Sequence, residues 1–214
     1  MKNAAFTIVE PENEQDLDYA PGSPERAALK ARLGELSSKR IEIPLVIGGR
    51  RVKTGRLGES RMPHRHRHVL ASFHQAGPKE VRAAIGAALK ARAGWAALGW
   101  KERAAVFTRA AKLLSGPWRQ TLNAATMLGQ GKTVHQAEID AACELADFWW
   151  FNSHYMGRIN AQQPRSTAAA VNTADYRPLE GFVFAVTPFN FTAIAGNLPA
   201  AAAIIAPDIS SSRR

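Results

Sequence analysis

The sequence predicts an α/β fold in which a layer of helices and a β-hairpin precedes the start of a parallel sheet. Three observations support this prediction. Apolar residues recur at helical spacing between about residues 78 and 151, and Gly48-Gly49 provides a tight turn within residues 41–52. Residues 181–187 form a continuous apolar run, which is typical of a strand that is covered on both faces.

The chain divides into three parts. Residues 1–22 are polar and acidic and predict an extended N-terminal arm. Residues 23–180 are predicted to form a helix-rich region that contains the β-hairpin. Residues 181–214 are predicted to contain one strand, a loop and a partial helix. The second part begins with Ser23-Pro24-Glu25, a helix-capping pattern, and we expect that helix to end near Leu36.

Strand signals occur in the hairpin and at two further places. Pro44 lacks a backbone donor, so the first strand of the hairpin should lie at a sheet edge or contain a bulge. Residues 68–74 alternate between polar and apolar side chains and predict a second strand, and residues 171–176 are also strand-like.

Four helices are predicted in the middle of the chain. The first begins at Gly77-Pro78, the second ends at Ser115-Gly116-Pro117, and the third reaches about Leu128. The fourth and longest follows Gly129-Gln130-Gly131. One of its faces carries Val134, Ala137, Ala141, Leu145, Phe148 and Trp149, and a different face carries Asp140, Glu144 and Asp147.

The net charge of +10 comes from 28 Lys and Arg residues against 18 Asp and Glu residues. Residues 26–67 carry +9 of it, and no zinc-finger, zipper or other nucleic-acid-binding signature accompanies them. A solvated basic face is therefore favoured over nucleic-acid binding. No apolar stretch reaches the roughly 18 residues of a membrane span, no secretory signal is visible, and the single cysteine suits a reducing compartment. We expect a soluble, cytoplasmic protein.

Gly131-Lys132-Thr133 is similar to the end of a phosphate-binding loop. The first glycine of that motif would fall on Thr126, and the preceding segment is predicted to be helical rather than extended. A helix stop followed by a new helix start is therefore the preferred interpretation.

Neither a metal site nor a cysteine nucleophile is favoured by the sequence. His64, His66 and His68 alternate with arginines that oppose a cation, and no nearby carboxylate or cysteine completes a ligand set. Cys143 lies in mid-helix without a neighbouring base, so we expect a small buried side chain rather than a nucleophile.

The loop Thr187-Pro188-Phe189-Asn190-Phe191 directly follows the apolar run and precedes a predicted helix. In open parallel sheets, ligands bind where strands end in such loops. A side-chain amide at this position can donate a hydrogen bond to an oxyanion, an interaction that contributes about 10²- to 10³-fold to the rate of acyl chemistry.

Residues 181–194 resemble the first strand and loop of the dinucleotide-binding domain of aldehyde dehydrogenases, a Rossmann-like parallel sheet. A narrower resemblance, to the Δ1-pyrroline-5-carboxylate (glutamate semialdehyde) dehydrogenase branch, extends from about Ile41 to Pro199. It rests on Met62-Pro63-His64 with Arg67-His68-Val69, Leu114-Ser115-Gly116-Pro117, Gly129-Gln130-Gly131-Lys132-Thr133, Gln136-Ala137-Glu138-Ile139-Asp140-Ala141-Ala142, and Asp147-Phe148 with Phe151-Asn152.

The resemblance implies NAD-dependent oxidation of L-glutamate γ-semialdehyde, the open form of Δ1-pyrroline-5-carboxylate, to L-glutamate in proline degradation. Asn190 matches the asparagine that holds the oxyanion. Thr187, Pro188 and Phe189 match residues on the nicotinamide side of the NAD site, and Glu144 matches a substrate-binding carboxylate near the reactive centre. The resemblance implies a small-molecule substrate.

The sequence departs from the family in three ways. Family members are more than twice as long, and the catalytic cysteine and general-base glutamate lie beyond the matched region. Residues 207–214 match nothing in the family, and Trp150 stands where arginine is usual. We therefore expect an incomplete, inactive N-terminal portion whose 181–214 segment is a truncated dinucleotide-binding domain. The alternatives are a non-catalytic protein that binds a homologous dehydrogenase subunit and a basic nucleic-acid binder.

Overall fold

The structure, a computed structural model, describes residues 10–174, 176 and 179–205. Its strands are β1 (Ile41–Ile43), β2 (Leu45–Ile47), β3 (Arg50–Val52), β4 (Leu57–Met62) and β5 (Arg65–His74). Its α-helices are α1 (Pro24–Ser37), α2 (Pro78–Ala96), α3 (Trp100–Ser115), α4 (Arg119–Gln130), α5 (Val134–Ala137), α6 (Glu144–Ala161) and α7 (Asn197–Ile205). A π-helical segment (Glu138–Cys143) joins α5 to α6, and a 3₁₀ turn (Ile194–Gly196) precedes α7.

The predicted hairpin is confirmed for β2 and β3, which pair antiparallel across a turn at Gly48 and Gly49. These glycines have φ values of 57° and 75°, which residues with a Cβ rarely adopt. The hairpin does not include β1, which instead pairs in parallel with β5. Pro44, which separates β1 from β2, has no backbone N–H to donate to a ladder.

A three-stranded sheet with the order β1-β5-β4 is separate from the hairpin, which lies between β1 and β4 in the chain order. The second predicted strand is confirmed, but β5 begins at Arg65 rather than at His68. Strand β4 was missed, because its sequence is largely polar and contains Gly58. Packing requires a glycine at this position, because a Cβ at Gly58 would collide with the ring of Phe73 on the paired strand.

The predicted helix ends are confirmed. Ser23 caps α1 by accepting a hydrogen bond from the backbone N of Arg26 (3.3 Å), and Pro78 begins α2. Helix α3 ends at Ser115 and α4 at Gln130. Helix α3 packs on α6, and α1 packs on α4. The central apolar cluster consists of Ala111, Leu114, Ala141, Ala142, Leu145, Ala146 and Ala193.

The fourth predicted helix is not a continuous α-helix, because the π-helical segment interrupts it after α5. Its predicted apolar face is confirmed at Ala137, Ala141 and Leu145, which are buried, but it is wrong at Phe148, which is 40% exposed. A π-helical turn contains an extra residue, so it rotates the faces that follow it.

The described residues between 162 and 193 contain no strand, so the prediction for 181–187 is wrong, as is the prediction for 171–176 over its described residues; residue 175 lies outside them. A strand requires a neighbour to pair its backbone groups, and none of the five described strands pairs with either segment. Phe184 and Val186 are accordingly 81% and 70% exposed.

Within the described part of the chain, no helix combines the length and the apolar character needed to cross a membrane.

Candidate active site

The loop predicted to carry chemistry, residues 187–191, precedes the 3₁₀ turn and α7, so the predicted helix after the loop is confirmed, whereas the predicted strand before it is not formed. Thr187, Pro188 and Asn190 are exposed, and Phe189 is 97% exposed. Ala193 follows the loop and is buried in the central apolar cluster. The side chains of the loop that were predicted to be functional are therefore exposed to solvent, whereas Ala193, which follows the loop, is buried in the core.

Gln130, the last residue of α4, contacts the backbone of this loop. In the one orientation that satisfies both polar atoms of its amide, the nitrogen donates to the carbonyl oxygen of Asn190 (3.0 Å). The amide oxygen accepts from the backbone nitrogens of Phe191 and Thr192, each at 3.1 Å. A single side chain thus binds three consecutive residues of the loop.

Gly131-Lys132-Thr133 is a helix junction, as the sequence predicted. Gly131 adopts a left-handed conformation (φ 67°), and its N–H donates to the carbonyl oxygen of Met127 (3.0 Å). Thr133 caps α5 and accepts from the backbone nitrogen of Gln136 (3.3 Å). The ammonium of Lys132 pairs with Asp140 and lies 4.2 Å from the centre of the Phe191 ring. The junction therefore contacts the candidate loop from a second side.

Glu144, the predicted substrate-binding carboxylate, is the first residue of α6. It lines an open cleft of about 450 Å³ together with Asn13, Asp147, Phe148, Phe151, Asn152 and Tyr155. Partial burial, followed by the negative charges of Asp140 and Asp147, raises the pKa of Glu144, while Lys132 opposes the rise. Lys132 therefore links the two predicted parts of the site, because it interacts with Glu144 and also contacts Phe191 in the loop.

A buried polar network lies behind this surface and was not predicted. Its centre is the Glu138 carboxylate, which is fully buried and pairs with Arg119, whose Nε donates to it at 3.0 Å. Tyr19 Oη and Asn123 Nδ2 donate to the same carboxylate at 2.7 and 2.6 Å, and the backbone nitrogen of Leu17 donates at 2.9 Å. The network ties the N-terminal arm to α4 and the π-helical segment.

The network shifts the pKa values of its members. Burial alone would raise the pKa of Glu138, but hydrogen bonds from Arg119, Tyr19 and Leu17 outweigh it and lower that pKa. Burial, together with the adjacent Glu138, raises the pKa of Tyr19 to about 12. Glu138 is therefore ionised and Tyr19 neutral at physiological pH.

Cys143 is buried in contact with the same network, as predicted for a small buried side chain. Its Sγ accepts a hydrogen bond from Arg119 Nη2 (3.4 Å), and burial is the largest cause that raises the pKa of its thiol. A protonated and inaccessible thiol is a poor nucleophile.

The histidine- and arginine-rich residues 64–68, at the turn after β4 and the start of β5, are largely exposed. His64 and His66 are exposed and His68 is half-buried. Across the described residues, no group of three or more His, Cys, Asp or Glu side chains is placed to hold a metal ion.

Sequence signals for the missed residues were present but weak. Glu138 is a charged residue among the apolar positions of the fourth predicted helix, which indicates a buried partner. Gln130 lies between two glycines at a helix end, but nothing local indicates that its partners are residues 190–192.

Comparisons with known proteins agree with this geometry. The model of the aldehyde dehydrogenase family matches residues 52–207. The chain is 51% identical to Δ1-pyrroline-5-carboxylate dehydrogenase of Agaricus bisporus over 204 residues, which are 94% of this chain and 37% of that protein. It is 47% identical over 193 residues to the mitochondrial Δ1-pyrroline-5-carboxylate dehydrogenase of Homo sapiens, covering 90% of this chain and 34% of that protein.

The crystal structure of Δ-pyrroline-5-carboxylate dehydrogenase from Mycobacterium tuberculosis bound with NAD is similar to the fold described above. The TM-score is 0.92 at 50% sequence identity, over 96% of this chain and 38% of that one. This chain thus spans little more than a third of the length of these relatives. Because the family model covers most of its residues, the chain belongs to the aldehyde dehydrogenase family.

Proposed function

We propose that this chain supplies the oxyanion-binding and nicotinamide-side part of an NAD-dependent dehydrogenase that oxidises L-glutamate γ-semialdehyde to L-glutamate. The observation that carries the proposal is the loop at 187–191, which is exposed on its functional side and held by Gln130 on the other. The sequence similarity to relatives named Δ1-pyrroline-5-carboxylate dehydrogenase supports the substrate.

We assign to Asn190 the role of binding the oxyanion that forms during the reaction. When a thiolate attacks the aldehyde carbon, the carbonyl oxygen becomes negatively charged, and the side-chain amide of Asn190 donates a hydrogen bond to it. The backbone of Asn190 is fixed by its carbonyl contact with Gln130 at 3.0 Å, which limits the reorganisation that the reaction requires.

Thr187, Pro188 and Phe189 are assigned to the nicotinamide side of an NAD site. The residues fit such a ring, because an exposed hydroxyl and two exposed apolar surfaces offer a hydrogen-bonding group and a packing surface to a planar amide. NAD bound beside these residues would supply the hydride acceptor that the oxidation requires. Glu144 is assigned a substrate-side position, because it lines the open cleft that it shares with Phe148 and Phe151.

These 214 residues contain one cysteine, and its environment does not suit the thiolate chemistry that the reaction needs. We therefore propose that the 214-residue chain alone does not oxidise the aldehyde. We assign it to the cytoplasm, although several relatives carry the word mitochondrial in their names.

A second candidate function is supported by the exposed apolar residues of the 182–189 segment, of which Phe184 and Phe189 are 81% and 97% exposed. Such a segment fits a non-catalytic role in which this chain binds a homologous dehydrogenase subunit. Co-purification with a full-length relative, compared with a Phe184→Ser/Val186→Ser variant, tests it.

The test of the first proposal joins residues 1–205 of this chain to the part of the Agaricus bisporus relative that follows the matched region. With NAD and Δ1-pyrroline-5-carboxylate, the chimera should form NADH and glutamate, whereas the 214-residue chain should not. A folded chimera that binds NAD but oxidises no semialdehyde would refute the proposal, as would turnover by the 214-residue chain.

A further inference from the structure

We propose that Gln130 is a positioning residue, whose side-chain amide sets the backbone conformation of the loop that carries Asn190. The structural part of this inference stands on the contacts of the loop alone. Its catalytic consequence rests on the proposed function.

The chemistry of the contact is specific to an amide. The loop offers one acceptor, the Asn190 carbonyl oxygen, and two donors, the backbone N–H groups of Phe191 and Thr192. Glutamine presents a donor and an acceptor on one planar group, so it satisfies all three. A glutamate could accept from both N–H groups but could not donate to the carbonyl, and a leucine of similar size could do neither.

Gln130 itself is held in place by the fold. It ends α4 immediately before Gly131, whose left-handed conformation reverses the chain. A Cβ at Gly131 would lie 3.2 Å from the ring of Pro63, so this turn is also closely packed. A side chain at a packed helix end is a more rigid support than one in a loop.

Two further contacts fix the loop beyond Asn190. The Lys132 ammonium lies over the Phe191 ring at 4.2 Å, and Ala193 is buried in the central apolar cluster. Gln130, Lys132 and Ala193 therefore restrain residues 190–193 from separate sides. Among these three restraints, only Gln130 binds the backbone of Asn190.

An oxyanion donor is effective only when its position is fixed before charge develops on the substrate. The carbonyl of Asn190 lies on the same residue as the catalytic amide. Loss of the Gln130 contact should therefore increase the range of positions that the amide samples without removing the amide itself.

The direct test measures amide hydrogen exchange at Phe191 and Thr192 by NMR on the 214-residue chain. Gln130→Leu should accelerate exchange at both amides about tenfold, which is the loss expected when one hydrogen bond to each is removed. Gln130→Glu keeps the acceptor and should restore most of the protection. Gln162→Leu, at an exposed glutamine after α6, is the matched control and should leave both rates unchanged.

Core amides of Ala111 and Leu114 serve as an internal reference, because these residues are buried far from the substitution in sequence. If the Gln130→Leu variant is destabilised as a whole, exchange at Phe191 and Thr192 should still accelerate more than exchange at the reference amides. Equal acceleration, or no acceleration, would overturn the proposal.

The catalytic consequence is read in the chimera. Gln130→Leu should lower kcat for semialdehyde oxidation at least tenfold with little change in the KM for NAD, and Gln130→Glu should recover part of kcat. A purely structural role would instead lower the amount of folded enzyme and leave kcat per folded site unchanged. If Asn190→Ala has no effect while the exchange result holds, the proposed function fails and the positioning role of Gln130 remains.

Discussion

Glu138 and Arg119 form a buried ion pair at the junction of the N-terminal arm, α4 and the π-helical segment. Arg119 Nε lies 3.0 Å from the Glu138 carboxylate, and Arg119 Nη2 also donates to the carbonyl oxygen of Gln15 at 2.6 Å. The residues come from distant parts of the chain. The pair therefore connects the N-terminal arm to α4 and to the π-helical segment, next to the candidate site.

Replacing Glu138 by Gln should destabilise the chain strongly. The change keeps the shape of the side chain but removes the fully buried carboxylate partner of Arg119 and leaves the guanidinium paired with Glu14 (2.8 Å), so the cost should approach, but not exceed, the roughly 3–5 kcal/mol of a broken buried ion pair. Urea unfolding followed by circular dichroism measures the free energy. The exposed Glu35, which pairs with Arg32 and Lys39, is the matched control, and Glu35→Gln should change the free energy of unfolding by less than about 1 kcal/mol.

The same carboxylate predicts an acid dependence of stability. Because the pKa of Glu138 is lower in the folded chain, its contribution is present above the ordinary glutamate value of about 4.3 and is lost as pH falls through the folded pKa. Unfolding free energy measured below about pH 4.3 should fall less steeply in Glu138→Gln than in the unsubstituted chain. Parallel curves for the two proteins would contradict the role of this residue.

Cys143 should resist alkylation in the native chain. Its thiol is buried and its pKa is raised, so iodoacetamide reacts only when the site opens. For a domain stable by about 5 kcal/mol, labelling should be about a thousandfold or more slower than in urea. An exposed thiol in the Cys143→Ala/Thr173→Cys variant is the control and should react at the unfolded rate. Equally fast labelling of native Cys143 would show that the thiol is accessible.

The pKa of Glu144 should change in opposite directions when the charge of Asp140 or the charge of Lys132 is removed. Asp140→Asn removes a negative charge that raises the pKa of Glu144, so that pKa should fall. Lys132→Met removes the opposing positive charge, so the pKa should rise. Carbon-13 NMR of the Glu144 carboxyl measures both. Shifts in the same direction would show that Lys132 does not act on Glu144.

Local signals account for the parts of the fold that were predicted correctly. The caps at Ser23, Gly131 and Thr133 are formed by residues within four positions of each other, so sequence alone specifies them. The parallel pairing of β1 with β5 depends on residues thirty positions apart, such as Ile41 and Ala71, and was not predicted. Parallel pairing leaves no turn signal between its strands.

The sequence suggested Asn190 and Glu144 as site residues, which stay predictions, but it did not indicate the residues that contact them in the fold. Asn190 and Glu144 carry recognisable chemistry in a recognisable sequence context. Gln130 and Lys132 act on them across the tertiary fold, and Glu138 binds partners as distant as Leu17. Such contacts follow from packing rather than from sequence spacing.

The most direct test of the oxyanion role is kcat for semialdehyde oxidation by the chimera with and without Asn190→Ala. Loss of the amide donor should lower kcat about 10²- to 10³-fold. Asn172→Ala, at an exposed asparagine whose side chain donates to Arg165, is the matched control and should leave kcat unchanged. A kcat for Asn190→Ala within about twofold of the unsubstituted chimera would contradict a role worth several kcal/mol at the transition state.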